Sequence, residues 1–345
     1  MSNWTSNAII TKAKSIYGTS LKQDDYLELV KKRSISEVVS YLKTKKYYKE
    51  FFSDVQENSV HRGQLEELIK KTNFNYTLRL IKFVELKDKA FYELNIIQRE
   101  IDLILASIRA ILSMNYEEAI AEFPIFFRRH ASFDITLLSK ARTFLDLLEA
   151  IEKTPFYSVL KPFLEKENSE IRYADIEYEL DSCYYGCVFD QIEKNYKGKV
   201  KKQLFDIFKS RIELGNIVKI YRLKKFYNAE FSEIKKAVIT KYSRMSDKKL
   251  DDIISLPNAD SVLHYLESSE FAKYIDEDEY IYIEYYAEKM KYNLAKRYMY
   301  FSNDAPAVFS AYLILNEIER ENLFNIIEGI RYNLEESEIK KMLIF

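Results

Sequence analysis

Three times, at nearly equal intervals, the chain repeats one helical pattern. Glu37-Val38-Val39-Ser40-Tyr41-Leu42 is followed five residues later by Tyr47. Asp146-Leu147-Leu148-Glu149-Ala150-Ile151 is followed by Phe156, and Ser261-Val262-Leu263-His264-Tyr265-Leu266 by Phe271. The anchors Leu42, Ile151 and Leu266 lie 109 and 115 residues apart. A second element recurs in the later copies, Glu213-x-x-Asn216 and Glu319-x-x-Asn322. After each of these comes Ser-Glu-Ile-Lys-Lys, at Ser232 and Ser337, displaced by 19 and 18 residues. The pattern predicts an all-α fold of three similar helical domains, 1–114, 115–227 and 228–345. Repeated helical bodies of this size work through shape, as scaffolds, rather than through a catalytic cleft.

Composition agrees. With 6 Gly and 5 Pro in 345 residues, turns are too few for sandwiches, barrels or dinucleotide-binding folds. Each segment of roughly 110 residues is large enough to bury its own core. Lys and Arg number 53 against 54 Asp and Glu, a net charge of −1. A nucleic-acid binder calls for a clear basic excess, so nucleic acid is not expected as a partner. The short basic runs at 43–49, 197–202 and 222–225 read as solvated helix ends. No run of 18 apolar residues occurs, and the first residues lack a charged-then-apolar leader pattern, so direct membrane insertion is not expected.

Along the chain, residues 6–17 read as a leading helix. Short helices follow at 26–30 and 36–52, the second capped by Ser36. A long helical stretch runs from Gly63 to Met114, and Leu94, Ile97, Ile101, Ile104, Ile108 and Ile111 form one apolar stripe on it. Residues 201–226 and 308–330 form the corresponding closing helices of the second and third copies. The tyrosines within 280–286 and 292–300 either line a groove or fill irregular space between helices.

Candidate chemistry is sparse. Cys183-x3-Cys187 falls on one helical face, but a structural zinc wants four ligands. The three histidines, His61, His130 and His264, are far from that pair in sequence, so two semi-buried thiols are the better reading. The acids of Asp276-Glu-Asp-Glu279 are consecutive and point around a helix, which argues against paired Mg²⁺ clusters of the prenyl-transfer kind. Phosphate-binding loops, nucleophile elbows and HExxH are absent from the sequence. No catalytic residue, cofactor or metal is expected.

Glu100, Glu213 and Glu319 each sit within a long, mostly apolar helix, and nine residues on come Arg109, Arg222 and Glu328. Equal placement implies an equal job. Two jobs fit: an inter-helix ion pair or hydrogen bond, or a polar lining around an axis shared by the copies.

These elements carry a resemblance. The Leu42-to-Tyr47 element with its echoes, the helix Glu213-Leu-Gly-Asn216-Ile to Arg222, and the C-terminal stretch resemble the C subunit (d in eukaryotes) of V/A-type rotary ATPases. That stretch reads Asn316-Glu-Ile-Glu-Arg-Glu-Asn322-Leu, Ile327-Glu-Gly329 and Ser337-Glu-Ile-Lys-Lys-Met-Leu-Ile344. Three departures stand out. The leading helix carries Lys12 and Lys14 where the family has arginines; Leu103 replaces the asparagine in the first copy; Glu328 replaces the arginine in the third.

The resemblance implies a funnel of three domains around a pseudo-threefold axis, one copy per complex, on the cytoplasmic face of the membrane. It implies two partners, the central shaft subunits and the proteolipid rotor ring, and a non-catalytic role as the socket between them. Glu213, Asn216, Arg222, Glu319 and Asn322 are the residues it nominates for shaft or ring contact. The alternative is a generic α-helical repeat scaffold that grips a partner helix or peptide.

Overall fold

The computed structural model describes residues 3–85, 88–116, 123–164, 172–269, 272 and 282–345. Among them every regular element is helical. Phe271, Tyr280 and the acidic run at 276–279 lie outside the described residues.

The first copy carries α1 (Asn3–Gly18), α2 (Gln23–Leu29), α3 (Ile35–Thr44), α4 (Lys46–Phe52), α5 (Arg62–Ile81), α6 (Lys89–Tyr92) and α7 (Leu94–Ser113). Then come α8 (Ile135–Ser139), α9 (Phe144–Ala150), α10 (Pro155–Leu160), α11 (Tyr173–Asn195) and α12 (Gly198–Tyr227). The last copy holds α13 (Phe231–Ala237), α14 (Asp247–Ile254), α15 (Ala259–Ser268), α16 (Ile283–Phe301), α17 (Ala305–Arg331) and α18 (Glu336–Lys340).

The recurring pattern is visible in the caps. Helices α3, α9 and α15 begin after Ser34, Thr143 and Asn258, each eight residues ahead of its anchor. Each cap side chain accepts the backbone N–H three residues on, at 3.2, 3.1 and 2.9 Å. Such caps contribute about 1 kcal/mol apiece. The anchors Leu42, Ile151 and Leu266 are fully buried, and Tyr47 and Phe156 are buried behind the first two.

Two expectations are corrected here. Ser34, not Ser36, caps the helix, because Ser34 is extended and aims its hydroxyl at Glu37 N, while the Ser36 hydroxyl bonds Asn58. Lys45 is also extended, so the expected single helix divides into α3 and α4. The long helical stretch from Gly63 is likewise three helices, α5, α6 and α7.

The chain forms two compact units. One comprises 1–88, 197–236 and 243–345; the other comprises 89–196 and 237–242. In the larger, α17 packs against α1, α3, α5 and α16, while α12 packs against α15 and α16. In the smaller, α7 packs against α8, α9 and α11, and Tyr242 stacks on Phe189 at 4.8 Å. The long helix that closes each sequence copy thus packs on short helices of another copy. The α7 stripe explains its share of this. Leu94, Ile101, Ile104, Ile108 and Ile111 are buried on one face, which needs an apolar partner.

The three long helices also end alike. Among the described residues, the non-glycine positions with positive φ are Met114 (56°), Asn228 (45°) and Asn333 (52°), at the ends of α7, α12 and α17. Asparagine tolerates the left-handed conformation and methionine does not. Met114 is 79% exposed, so its side chain gains little from packing. Replacing Met114 with glycine should therefore stabilise the protein by about 0.5–1 kcal/mol in a denaturant melt. A loss would show that Met114 is held by contacts rather than strained.

Candidate functional site

The three glutamates that recur in the long helices do share one job. Glu100 in α7 is 3% exposed and accepts the backbone N–H of Ser132 through its Oε1. Glu213 in α12 is fully buried, and its Oε1 accepts the backbone N–H of Arg244 at 2.7 Å. Glu319 in α17 is 6% exposed, and its Oε2 accepts the backbone N–H of Leu21 at 3.1 Å. These three donors precede the N-caps Asp134, Ser246 and Lys22 of the helices α8, α14 and α2 by one or two residues. Each carboxylate therefore clasps the approach to a short helix. The first holds the second copy's loop, the second holds the third's, and the third returns to the first's. A buried carboxylate needs such donors, since an unpaired one costs several kcal/mol.

The clasps differ in how the charge is met. Arg244 turns its guanidinium onto Glu213, with Nε at 3.2 and 3.1 Å and Nη2 at 2.7 Å. The same guanidinium reaches Asp206 at 2.9 Å and Ser210 at 3.0 Å, a fully connected network. Glu319 instead has the Tyr48 hydroxyl, donating to Oε1 at 2.7 Å. Burial is the main effect on it and pushes its carboxyl up to about 7, against the pull of Tyr48, Leu21 and Lys22. Burial also raises the Glu100 carboxyl, opposed by Ser132.

Glu319 borders a cavity of about 170 Å³ walled by Tyr17, Tyr26, Tyr292, Tyr300 and Leu21. Of the tyrosine-rich stretches, Tyr292 and Tyr300 line this hollow. Lys22 lies over the Tyr17 ring at 5.0 Å and Lys296 over Tyr292 at 4.8 Å, so protein ammonium groups take the cation–π faces.

The remaining nominated residues separate. Asn322 is 1% exposed and forms a two-way clamp on Ile344, donating to its carbonyl at 2.6 Å and accepting from its N–H at 2.8 Å. Asn216 is buried within α12. Arg222 is exposed, with Glu284 at 3.5 Å. The residues nine positions after the glutamates have no common role. Arg109 lies on the Tyr173 ring, Arg222 faces Glu284, and Glu328 pairs with Arg62 and Arg331. Sequence reasoning missed Arg244, Tyr48, Leu21 and Ser132, because all four act from outside the repeated long helices.

Among the described residues, no cluster of three or more His, Cys, Asp or Glu is placed to hold a metal ion. No described helix is long and apolar enough to cross a membrane.

A buried carboxylate frame of this kind is architecture, and comparison with known proteins gives it a context. The family model described as ATP synthase (C/AC39) subunit matches residues 9–342. The chain belongs to the ATP synthase (C/AC39) subunit family. Similar curated proteins include the C subunit of an A-type ATP synthase from Methanosphaera stadtmanae (strain ATCC 43021 / DSM 3091 / JCM 11832 / MCB-3). It is 23% identical over 265 residues, which is 76% of this chain and 66% of that protein. Another relative, also an A-type ATP synthase C subunit, is from Methanosarcina barkeri (strain Fusaro / DSM 804). It is 26% identical over 113 residues, 33% of this chain and 30% of the relative. The aligned stretches therefore span less than two thirds of both relatives. Membership in the C/AC39 family agrees with the resemblance carried by the repeats and by the stretch around Glu319 and Asn322.

Proposed function

We propose that this C/AC39-family chain is a non-catalytic central-stalk subunit. It is a socket that joins the rotating shaft to the membrane proteolipid ring and so couples ATP hydrolysis or synthesis to ion transport. The family match over residues 9–342 is the observation that carries this reading. On it, the three sequence copies, 1–114, 115–227 and 228–345, form a funnel about a pseudo-threefold axis, at the cytoplasmic face of the membrane and in one copy per complex. The recurrence of the carboxylate clasp, once in each sequence copy, supports three similar copies.

Burial refines the proposed contact residues. Glu213, Asn216, Glu319 and Asn322 are interior, so their part in partner binding is to hold the frame. On this reading Arg222, which is exposed on α12, is the member of the set that meets a shaft or ring surface directly.

Capture of the tagged chain from native membranes in mild detergent tests the reading. Co-elution of a proteolipid ring, shaft subunits and an ATP-hydrolysing headpiece is expected. Recovery of the chain alone, or with unrelated soluble proteins, would sink the socket and promote a generic helical scaffold.

A further inference from the structure

Among the described residues the most exposed large apolar side chain is Phe301, at 81%, and its neighbour Tyr300 is 58% exposed. The pair ends α16, just ahead of the turn at 302–304 that leads into α17. Tyr298 and Met299, immediately before it, are buried, so these two rings project from the helix end as a tip. The rings stand edge-on at 6.5 Å, and Tyr300 meets the Tyr17 ring at 6.1 Å.

Basic groups collect around this tip, all within the larger unit. Lys14 of α1 donates its ammonium to the Tyr300 and Ser302 carbonyls, at 3.3 and 3.1 Å. Arg297 is exposed one turn back on α16, on the Phe301 face of the helix. Lys22 and Lys296 border the cavity that Tyr300 also lines. From α12, Lys199 comes within 3.9 Å of Asp304, and Gln203 accepts the Ser302 hydroxyl at 2.9 Å. Of the nearby acids, Asp206 is bonded to Tyr298 and Arg244, Asp25 pairs with Lys45, and Glu319 is interior. Asp24 and Asp304 are left, so cations are in local excess on a chain that is nearly neutral overall.

We propose that the Phe301 tip is a contact for an anionic membrane surface, with the rings in the headgroup layer and the cations on lipid phosphates. Aromatic rings favour that layer because one side of it is apolar and the other wet. Each Lys or Arg held near an anionic leaflet adds about fivefold in affinity. A protein partner calls for a broader apolar area dried at its centre, whereas these two rings stand among ammonium groups that stay in water. Apolar contact and charge act together in such binding, and no crossing helix is required. Neither the carboxylate clasps nor Arg222 uses Phe301, Tyr300 or Arg297. The proposal is independent of the socket, because a lipid surface without any ring is enough to show it.

The test uses the full-length chain and lipid vesicles free of other protein. Co-sedimentation is expected with vesicles of phosphatidylcholine and phosphatidylglycerol in equal parts, weakening at high salt as the charges are screened. Vesicles of phosphatidylcholine alone should bind about tenfold more weakly or less. Arg297→Ala should weaken binding to the anionic vesicles about fivefold, and Phe301→Ser about tenfold. Fluorescence reads the position, since the chain has one tryptophan, Trp4. In a Trp4→Phe/Phe301→Trp variant, anionic vesicles should shift the emission to the blue. In Trp4→Phe/Phe226→Trp they should not, because Phe226, 61% exposed, lies at the other end of α12 from Gln203. Equal binding to both kinds of vesicle, undiminished binding by Phe301→Ser, or a blue shift at Phe226 instead of Phe301 would each overturn the proposal. So would absence of binding at low salt, which would leave the tip to a protein partner.

Discussion

Replacing Arg244 with methionine is expected to destabilise the protein by about 3–5 kcal/mol, because it strips a buried carboxylate of its counter-charge. The Glu213 side chain is 1% exposed. Without the guanidinium, its remaining donors are the backbone N–H of residue 244 at 2.7 Å and the Ser243 hydroxyl at 3.5 Å. The reciprocal change is milder. Glu213→Gln leaves Arg244 with Asp206 at 2.9 Å and with a side chain one-third exposed, so the charge keeps both a partner and water. A cost of about 1–2 kcal/mol follows from the lost charge-assisted bonds. The order of the two variants is the sharp part of the prediction. Urea unfolding of both, compared with a Glu213→Leu/Arg244→Met double variant, decides it. The double variant should recover much of the single loss, since a well-packed apolar pair replaces a buried ion pair at little cost. If Glu213→Gln proved costlier than Arg244→Met, the pair would not be working as a buried ion pair.

Much of this frame is legible in the sequence, and what is missing has a physical cause. The anchors Leu42, Ile151 and Leu266 announce three equivalent short helices, and all three are fully buried. Glu213-x-x-Asn216 and Glu319-x-x-Asn322 announce buried polar groups in long apolar helices, and all four are buried. Their partners are not legible. Arg244, Leu21 and Ser132 lie in approach loops, which have no periodicity, and each donates its backbone N–H. Backbone donors leave no signature in residue identity. Leu103 shows the limit from the other side. It stands where the later copies have asparagine and is buried as an apolar residue, so α7 carries no such clamp. The interval of nine residues to Arg109, Arg222 and Glu328 is regular in sequence but has no common role in the structure, because those positions face different neighbours. The compact units likewise begin at Lys89 and Lys197, not at the copy boundaries, since a closing helix buries its apolar stripe on another copy.

The second large effect belongs to the clasp that joins the last copy to the first. Glu319 has no guanidinium, and burial raises its carboxyl from 4.5 to about 7. The charged and titratable groups acting on it are Tyr48 from α4, with Lys22 and Asp25 from the start of α2. A carboxyl whose folded value lies above its unfolded value binds its proton more tightly in the native state. Its stabilising contribution is therefore complete below about 4.5, declines through the interval, and is gone above about 7. Between pH 5 and pH 8 the native protein should lose about 2–3 kcal/mol from this group. Glu100, raised by burial as well, adds in the same direction. Glu319→Gln keeps the shape and an acceptor while removing the titration, so the variant's loss between pH 5 and pH 8 should shrink by about that amount. At pH 8 it should match or exceed the parent, because the parent then holds an anion in an apolar site. Urea midpoints for both proteins at the two pH values give the answer, and parallel pH profiles would refute a titrating Glu319. The clasp that brings α17 back to the α1–α2 turn is thus one whose strength the surrounding pH sets.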